Sequence, residues 1–266
     1  MHPEDFARLT ARFVDGARAD ERVVGLIALG STAGRSRAPD AWSDHDVWFV
    51  TRDGLAPAVR NDATIVPDHH RVVVRFAETE HGRSVIYDDG HLVEYAVFDE
   101  SELDIAGTNE HVVLYDESDI TRRMAAIEDR TLEDAAGTDP TGASRFGSLC
   151  AQLTIGVTRA ARGETMSANF MIRGQAVASL TWLVGRCVPS EWADRLDTFD
   201  PHRRFEVAHP GTAAAIDEVV RESPVDAAAG LLDLAERLLP GHVDGADPAA
   251  FAAVRATIER VRRAMP

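Results

Sequence analysis

The chain contains no lysine. Its 28 basic residues are all arginine, set against 44 aspartates and glutamates, so any side-chain cation that meets a phosphate here must be a guanidinium. The formal net charge of −16 argues against a general affinity for nucleic acid, because phosphate-backbone contacts need clustered basic side chains. It suits instead a small cationic acceptor, which a negative cleft attracts. Cysteine is scarce too. Cys150 and Cys187 fall in apolar stretches that read as helix, giving two buried thiols with no disulfide framework and no zinc or iron–sulfur spacing. No window approaches the ~18 apolar residues of a membrane span. The opening MHPEDFARLTARF is acidic and amphipathic, unlike a signal peptide, so a soluble cytoplasmic protein without membrane contact is expected.

What is present is enough apolar material for a core, 45% of 266 residues, over a length that suits two domains. Phe6, Leu9, Phe13 and Ala17 recur at helical spacing over 4–20. Val23–Leu29 (VVGLIAL) reads as a buried strand closed by a Gly30-Ser31 turn, and 31–43 as an ordered loop. Strands are expected at His45–Thr51 and 72–76, in a hairpin over 84–98 around Asp88-Asp89-Gly90, and at 112–115, followed by a helix from Asp119. This predicts an α/β (α+β) domain over 1–135 with a mixed sheet of about five strands. A polar, Gly- and Pro-containing boundary at 131–145 leads into an all-helical bundle over 136–266. Its helices are expected at 146–163, 165–187, 212–222, 225–238 and 248–264, with prolines near their ends.

The strongest chemical signal is Gly30-Ser31, then twelve residues, then Asp44-His45-Asp46. Residues two apart in a strand share a face, so Asp44 and Asp46 project together while Val47 and Phe49 turn away. Paired carboxylates are unfavourable without a cation between them, and their hard oxygens suit Mg²⁺. A glycine ending a strand lets backbone N–H groups approach a phosphate, and the Ser31 hydroxyl adds a donor. Either Arg35 or Arg37 can fork onto phosphate oxygens. Glu94, in LVEYAVF, offers a third carboxylate, as metal ligand or as general base on an acceptor hydroxyl. Asp88, Asp89, Asp99 and Glu100 read as turn and surface residues, and His69-His70 as loop.

These residues resemble a known family. ALGSTAGRSRAPDAWSDHDVWFV is similar to the polymerase-β-type nucleotidyltransferase signature of hydrophobic strand, Gly-Ser, a loop of about a dozen residues, Asp-x-Asp and a second strand. Within that superfamily the chain resembles the antibiotic-modifying branch, the streptomycin 6-adenylyltransferase-like and related aminoglycoside or lincosamide enzymes. YDDGHLVEYAVFD is similar to their acidic hairpin and third-acid strand, 146–185 to their first long bundle helices, and DTFDPHRRFEVAHP to a loop of bacterial members. The resemblance spans about 20–210 and is tight over 27–50. It implies a five-stranded mixed sheet, two Mg²⁺ ions held by Asp44, Asp46 and Glu94, and an NTP donor, ATP foremost, near Gly30, Ser31, Arg35 and Arg37. It also implies a helical substrate-binding domain. The third acid is Glu rather than the commoner Asp, and only Arg159 and Arg162 stand where relatives often use lysine. With 6% aromatics, Trp42 and Trp48 are the nearest partners for a base or acceptor. Glu164, between two helices, reads either as an acceptor contact or as a helix N-terminal acid.

The expected activity is metal-dependent transfer of a nucleoside monophosphate, AMP foremost, to a hydroxyl of a small cationic acceptor such as an aminoglycoside, releasing pyrophosphate. Arg162, Glu164 and Trp48 are the acceptor candidates. A protein hydroxyl as acceptor is the alternative enzyme reading. An antitoxin or nucleotide sensor with a protein partner is the non-enzymatic one.

Overall fold

The computed structural model describes residues 1–35, 37–197 and 200–265. Ser36 of the expected loop, Thr198 and Phe199 of the segment 197–210, and Pro266 lie outside the described residues. The chain divides into two compact units, Met1–Asp134 and Ala135–Pro266.

The first unit opens with α1 (Pro3–Ala19). Pro3 stands at its start, Glu4 and Asp5 in its first turn and Arg18 in its last, each favoured by the helix dipole or by proline's fixed φ. Its buried stripe is Phe6, Leu9, Phe13 and Ala17. There follow β1 (Val23–Leu29), α2 (Gly30–Ala33), β2 (His45–Thr51), α3 (Ala56–Arg60), β3 (Val72–Ala77), β4 (Gly82–Tyr87), β5 (Leu92–Asp99), β6 (His111–Asp116) and α4 (Ile120–Gly137). The sheet has six strands rather than five, in the order β3-β4-β5-β2-β1-β6, because 72–77 pairs as an edge strand beside the expected hairpin. β2 and β5 pair in parallel, and the other neighbours are antiparallel.

Alternation along β2 and β5 sorts side chains to two faces. Val47, Phe49, Val93, Tyr95 and Val97 pack with Leu9, Phe13 and Ala17 of α1. Val50, Ala96 and Phe98 pack with Ile120, Met124 and Ile127 of α4. Asp99 departs from its surface reading: it is 8% exposed and accepts the N–H groups of Leu55 and Ala56 at 3.1 and 2.8 Å and the Thr51 hydroxyl at 2.9 Å. Burial pushes this carboxyl up, but its donors outweigh that and hold it below the usual carboxylate range. It anchors the start of α3 to the end of β2.

The second unit is helical: α5 (Ala143–Ala161), α6 (Thr165–Asn169), a π segment over Phe170–Ala176, α7 (Val177–Cys187), α8 (Phe205–Ala208), α9 (Pro210–Val219), α10 (Pro224–Leu238) and α11 (Pro248–Ala264). The expected helix over 165–187 is therefore continuous but wider at its centre. Leu149, Leu153 and Val157 of α5 meet Ile172, Leu180, Leu231, Leu232, Phe251 and Ile258 in one core. Cys150 and Cys187 are half-buried at its margin rather than fully buried, and burial pushes both thiols up. No helix among the described residues is long and apolar enough to cross a membrane.

Gly156 lets α5 lie against the π segment, since a Cβ there would collide with Ile172 Cγ1 and sit 2.9 Å from its Cδ1. Gly156→Ala is expected to cost about 1–3 kcal/mol through overpacking, despite alanine's better helix propensity. Urea unfolding checks this, and an unchanged or raised midpoint would contradict the packing.

Candidate functional site

The site begins where β1 ends. Its apolar residues bury a strand up to Leu29, and Gly30, at φ +47°, turns the chain into α2. A Cβ at position 30 would meet Asp46 Oδ2 at an ordinary contact distance of 3.4 Å, so it is the left-handed backbone that calls for glycine here. Gly30 and Ser31 thus open a single helical turn rather than a simple bend. Thr32 in that turn accepts the Asp46 N–H at 3.0 Å, and its hydroxyl reaches the Asp44 carbonyl at 3.4 Å.

Asp46 lies beside Glu94 in the parallel β2–β5 register, and Asp44 immediately precedes β2. One carboxylate oxygen from each of Asp44, Asp46 and Glu94 lies within 4.8 Å of the others, and all three residues are half-buried. Among the described residues this is the one cluster of three or more His, Cys, Asp or Glu side chains able to hold a metal ion. Burial raises the Glu94 carboxyl above its ordinary value, helped by the charges of Glu78 and Asp44, while a hydrogen bond with Asp46 acts the other way. Gathered like charges with hard oxygen donors are what a Mg²⁺ site requires, so the donor set fits that ion.

A second arrangement backs this one. His45 points to the opposite face, fully buried, stacked on Phe6 with ring centroids 3.7 Å apart. Its Nδ1 meets His91 Nε2 at 2.7 Å, and its Nε2 meets the Thr10 hydroxyl at 3.0 Å. Burial first, and His91 second, lower the His45 pKa to about 3, so the ring is neutral. The residue between the two aspartates therefore pins them from behind. Neither Thr32 nor the His45–His91 pair was singled out from sequence. The threonine next to Gly30-Ser31 was the available signal for the first, and the second is a contact between residues 46 apart.

The other candidates are placed as follows. Arg35 pairs with Glu128 of α4 at 2.8 Å, and the same carboxylate stands 2.6 Å from His111 Nδ1. Arg37 pairs with Asp40. Trp48 shares the Asp46 face, half-buried, edge-on to Phe98 at 5.4 Å. Asp88 and Asp89 hold Arg71 at 2.6 and 3.0 Å, in keeping with turn residues. In the second unit, Arg162 ends α5 and Glu164 precedes α6. Both are exposed, and the Glu164 side chain makes no capping hydrogen bond.

No protein-family profile and no curated protein matches the chain. Among solved structures, the chain is similar to an aminoglycoside 6-adenyltransferase from Bacillus subtilis at 10% identity and a TM-score of 0.35, over 96% of this chain and 97% of that one. It is similar to a CdnC:HORMA-deltaN complex from E. coli MS115-1 at 14% identity and a TM-score of 0.32, over 96% and 90%. A protein from Sulfolobus solfataricus, provisionally assigned as a nucleotidyltransferase, is similar at 20% identity and a TM-score of 0.28, over 43% of this chain and 84% of its own.

Thr32→Val removes the acceptor of the Asp46 N–H and is expected to weaken Mn²⁺ binding about 10-fold, as loss of a supporting hydrogen bond does. Calorimetric titration with Mn²⁺ reads this, and unchanged affinity would remove Thr32 from the site. His45 gives a pH prediction. Its folded pKa lies below the unfolded value, so the unfolded chain binds the proton first and stability falls as pH drops below ~6.5 towards 3, at about 1.4 kcal/mol per pH unit. Thermal midpoints between pH 7 and 4.5 in EDTA should fall less steeply in His45→Leu; equal slopes would contradict a buried neutral ring.

Proposed function

We propose that the chain is a metal-dependent nucleotidyltransferase of the polymerase-β type, moving a nucleoside monophosphate, AMP foremost, from an NTP to a hydroxyl of a small cationic acceptor such as an aminoglycoside. The observation that carries this reading is the convergence of Asp44, Asp46 and Glu94 within 4.8 Å beside the left-handed turn at Gly30. Three carboxylates held together by the register of two strands, and tied back through Thr32, form a cation site rather than a solvated strand face.

Asp44, Asp46 and Glu94 would hold Mg²⁺, two ions in the reading of the sequence, which when bound neutralise charge on the attacking and leaving oxygens. The backbone N–H groups at Gly30 and Ser31, with the Ser31 hydroxyl, face the β- and γ-phosphates. Arg35 and Arg37 are each held by a carboxylate, so a phosphate draws on them by exchange with Glu128 or Asp40. Glu94 takes the proton of the acceptor hydroxyl, and its raised pKa brings it nearer the optimum for a base working close to neutrality. The acceptor oxygen then bonds to the α-phosphorus, the bridging P–O bond breaks and pyrophosphate leaves. Trp48, Arg162 and Glu164 are the side chains assigned to the acceptor in this reading.

Titration of each common NTP with Mg²⁺, and again with EDTA, into wild type and Asp46→Asn tests the site. Mg²⁺-dependent binding is expected, with a loss in the variant beyond the ~10–100-fold that removing a mere supporting group causes. Full turnover by Asp46→Asn with Mg²⁺ would show the assignment to be wrong.

A further inference from the structure

The acid cluster does not end at Glu94. The registers of β2, β5, β4 and β3 run Asp46, Glu94, Ser84, Phe76 in one row across the sheet, all on the same face. Adjacent strands stand ~4.8 Å apart, so Phe76 lies about 10 Å from Glu94. Two residues on, Glu78 continues the β3 ladder by donating its N–H to the Gly82 carbonyl, and its charge is felt at Glu94. Phe76 is 44% exposed, as is Val74 beside it, on an edge strand where exposed apolar residues invite unwanted pairing. Between Phe76 and Glu94, Ser84 is fully buried, and its Oγ has no hydrogen-bond partner among the described residues. A covered hydroxyl with neither role used is a cost that a native fold avoids unless something else fills the role.

Around Phe76 the charges on this face are the carboxylates of Glu78 and Glu94, with His81 further along it, stacked on Phe98. Arg75 and Arg83 alternate to the other side, the first donating to the Tyr95 hydroxyl and the Ala63 carbonyl, the second to the carbonyls of Thr79, Glu80 and Gly82. An aromatic face with carboxylates on either side recognises a ring that carries ammonium groups, through cation–π and C–H contacts below and ion pairing at its edge.

We propose that Phe76 and Glu78, over the unpartnered hydroxyl of Ser84, form an acceptor subsite leading to Glu94, taking an amine-bearing, hydroxylated ring with Phe76 beneath it and Glu78 on an ammonium group. The subsite rests on the proposed nucleotidyl transfer for its role, but its binding is separable from that reaction.

Calorimetry on the full chain tests it with neamine, a small four-amine aminoglycoside, against the uncharged sugar trehalose. Wild type should bind neamine and not trehalose. Phe76→Ala and Glu78→Gln should each weaken neamine about fivefold, and the pair about 25-fold, while Phe76→Trp restores binding. Mg²⁺·ATP affinity should be unchanged in Phe76→Ala and Phe76→Trp, which lie on the edge away from Gly30 and alter no charge felt at Glu94. Neamine affinity within about twofold of wild type in both single variants, or no binding by wild type, overturns the subsite. If Mg²⁺·ATP still binds in that case, the transfer reading stands without it. Neamine binding that depends on Phe76 and Glu78 in a protein that binds no Mg²⁺·NTP supports the subsite and removes the transfer reading.

Discussion

Asp46 and Glu94 stand beside one another because β2 and β5 run parallel in that register, and a parallel pair obliges the chain to cross over between them. The crossover, residues 52–91, carries α3 and the β3–β4 hairpin, so the sheet edge beyond Glu94 exists because of the pairing that creates the site. A slip of one residue would send Asp46 to the face of α1 and put Val47 in its place. Burial opposes that slip from both sides: Val47 and Phe49 fill one core, Val50 and Phe98 the other, and His45 is locked against Phe6 and His91. The apolar layers thus hold the acids in an arrangement that the acids themselves resist.

That resistance shows at Glu94, whose proton is held more tightly by burial and by neighbouring charge. The nearby loop arginines do not relieve it. Arg35 is engaged by Glu128 and Arg37 by Asp40. Because the chain has no lysine, phosphate recognition by exchange of ion-pair partners suits it chemically: a guanidinium presents the same planar fork to a carboxylate as to a phosphate. An arginine that trades one anion for another avoids the cost of bringing a fully hydrated cation into the site.

Much of this was legible in the chain. A seven-residue apolar strand, a glycine at its end and two aspartates at strand spacing required only periodicity and charge to interpret. Glu94 followed from its place in the second arm of the hairpin, where Val93 and Tyr95 on either side face the other way. What could not be read were contacts between distant residues. Arg35 and Glu128 are 93 positions apart, and nothing local marks one as the partner of the other. Asp99 looks like any acid at a strand end, and only the fold brings the N–H groups of Leu55 and Ala56 to it. The edge strand over 72–77 was found as a strand, but local β propensity does not count the strands of the finished sheet. The helical pattern over 165–187 likewise gave the element and its ends without the change of pitch inside it.

That change of pitch acts as a phase correction. Ala168, Ile172, Ala176, Leu180 and Val184 are all fully buried, at a strict interval of four. At 3.6 residues per turn each such step overshoots by about 40°, so an ideal helix would swing Val184 about 160° away from Ala168. The wider π turns over Phe170–Ala176 take up much of that rotation, and all five side chains stay in the core. The bundle is therefore sensitive to length at 170–176 in a way that a loop is not. One residue removed there, with the segment closing to ordinary α turns, would leave Val184 about 60° from Ala168, so the extra length held in the wide turns sets how α7 faces the core.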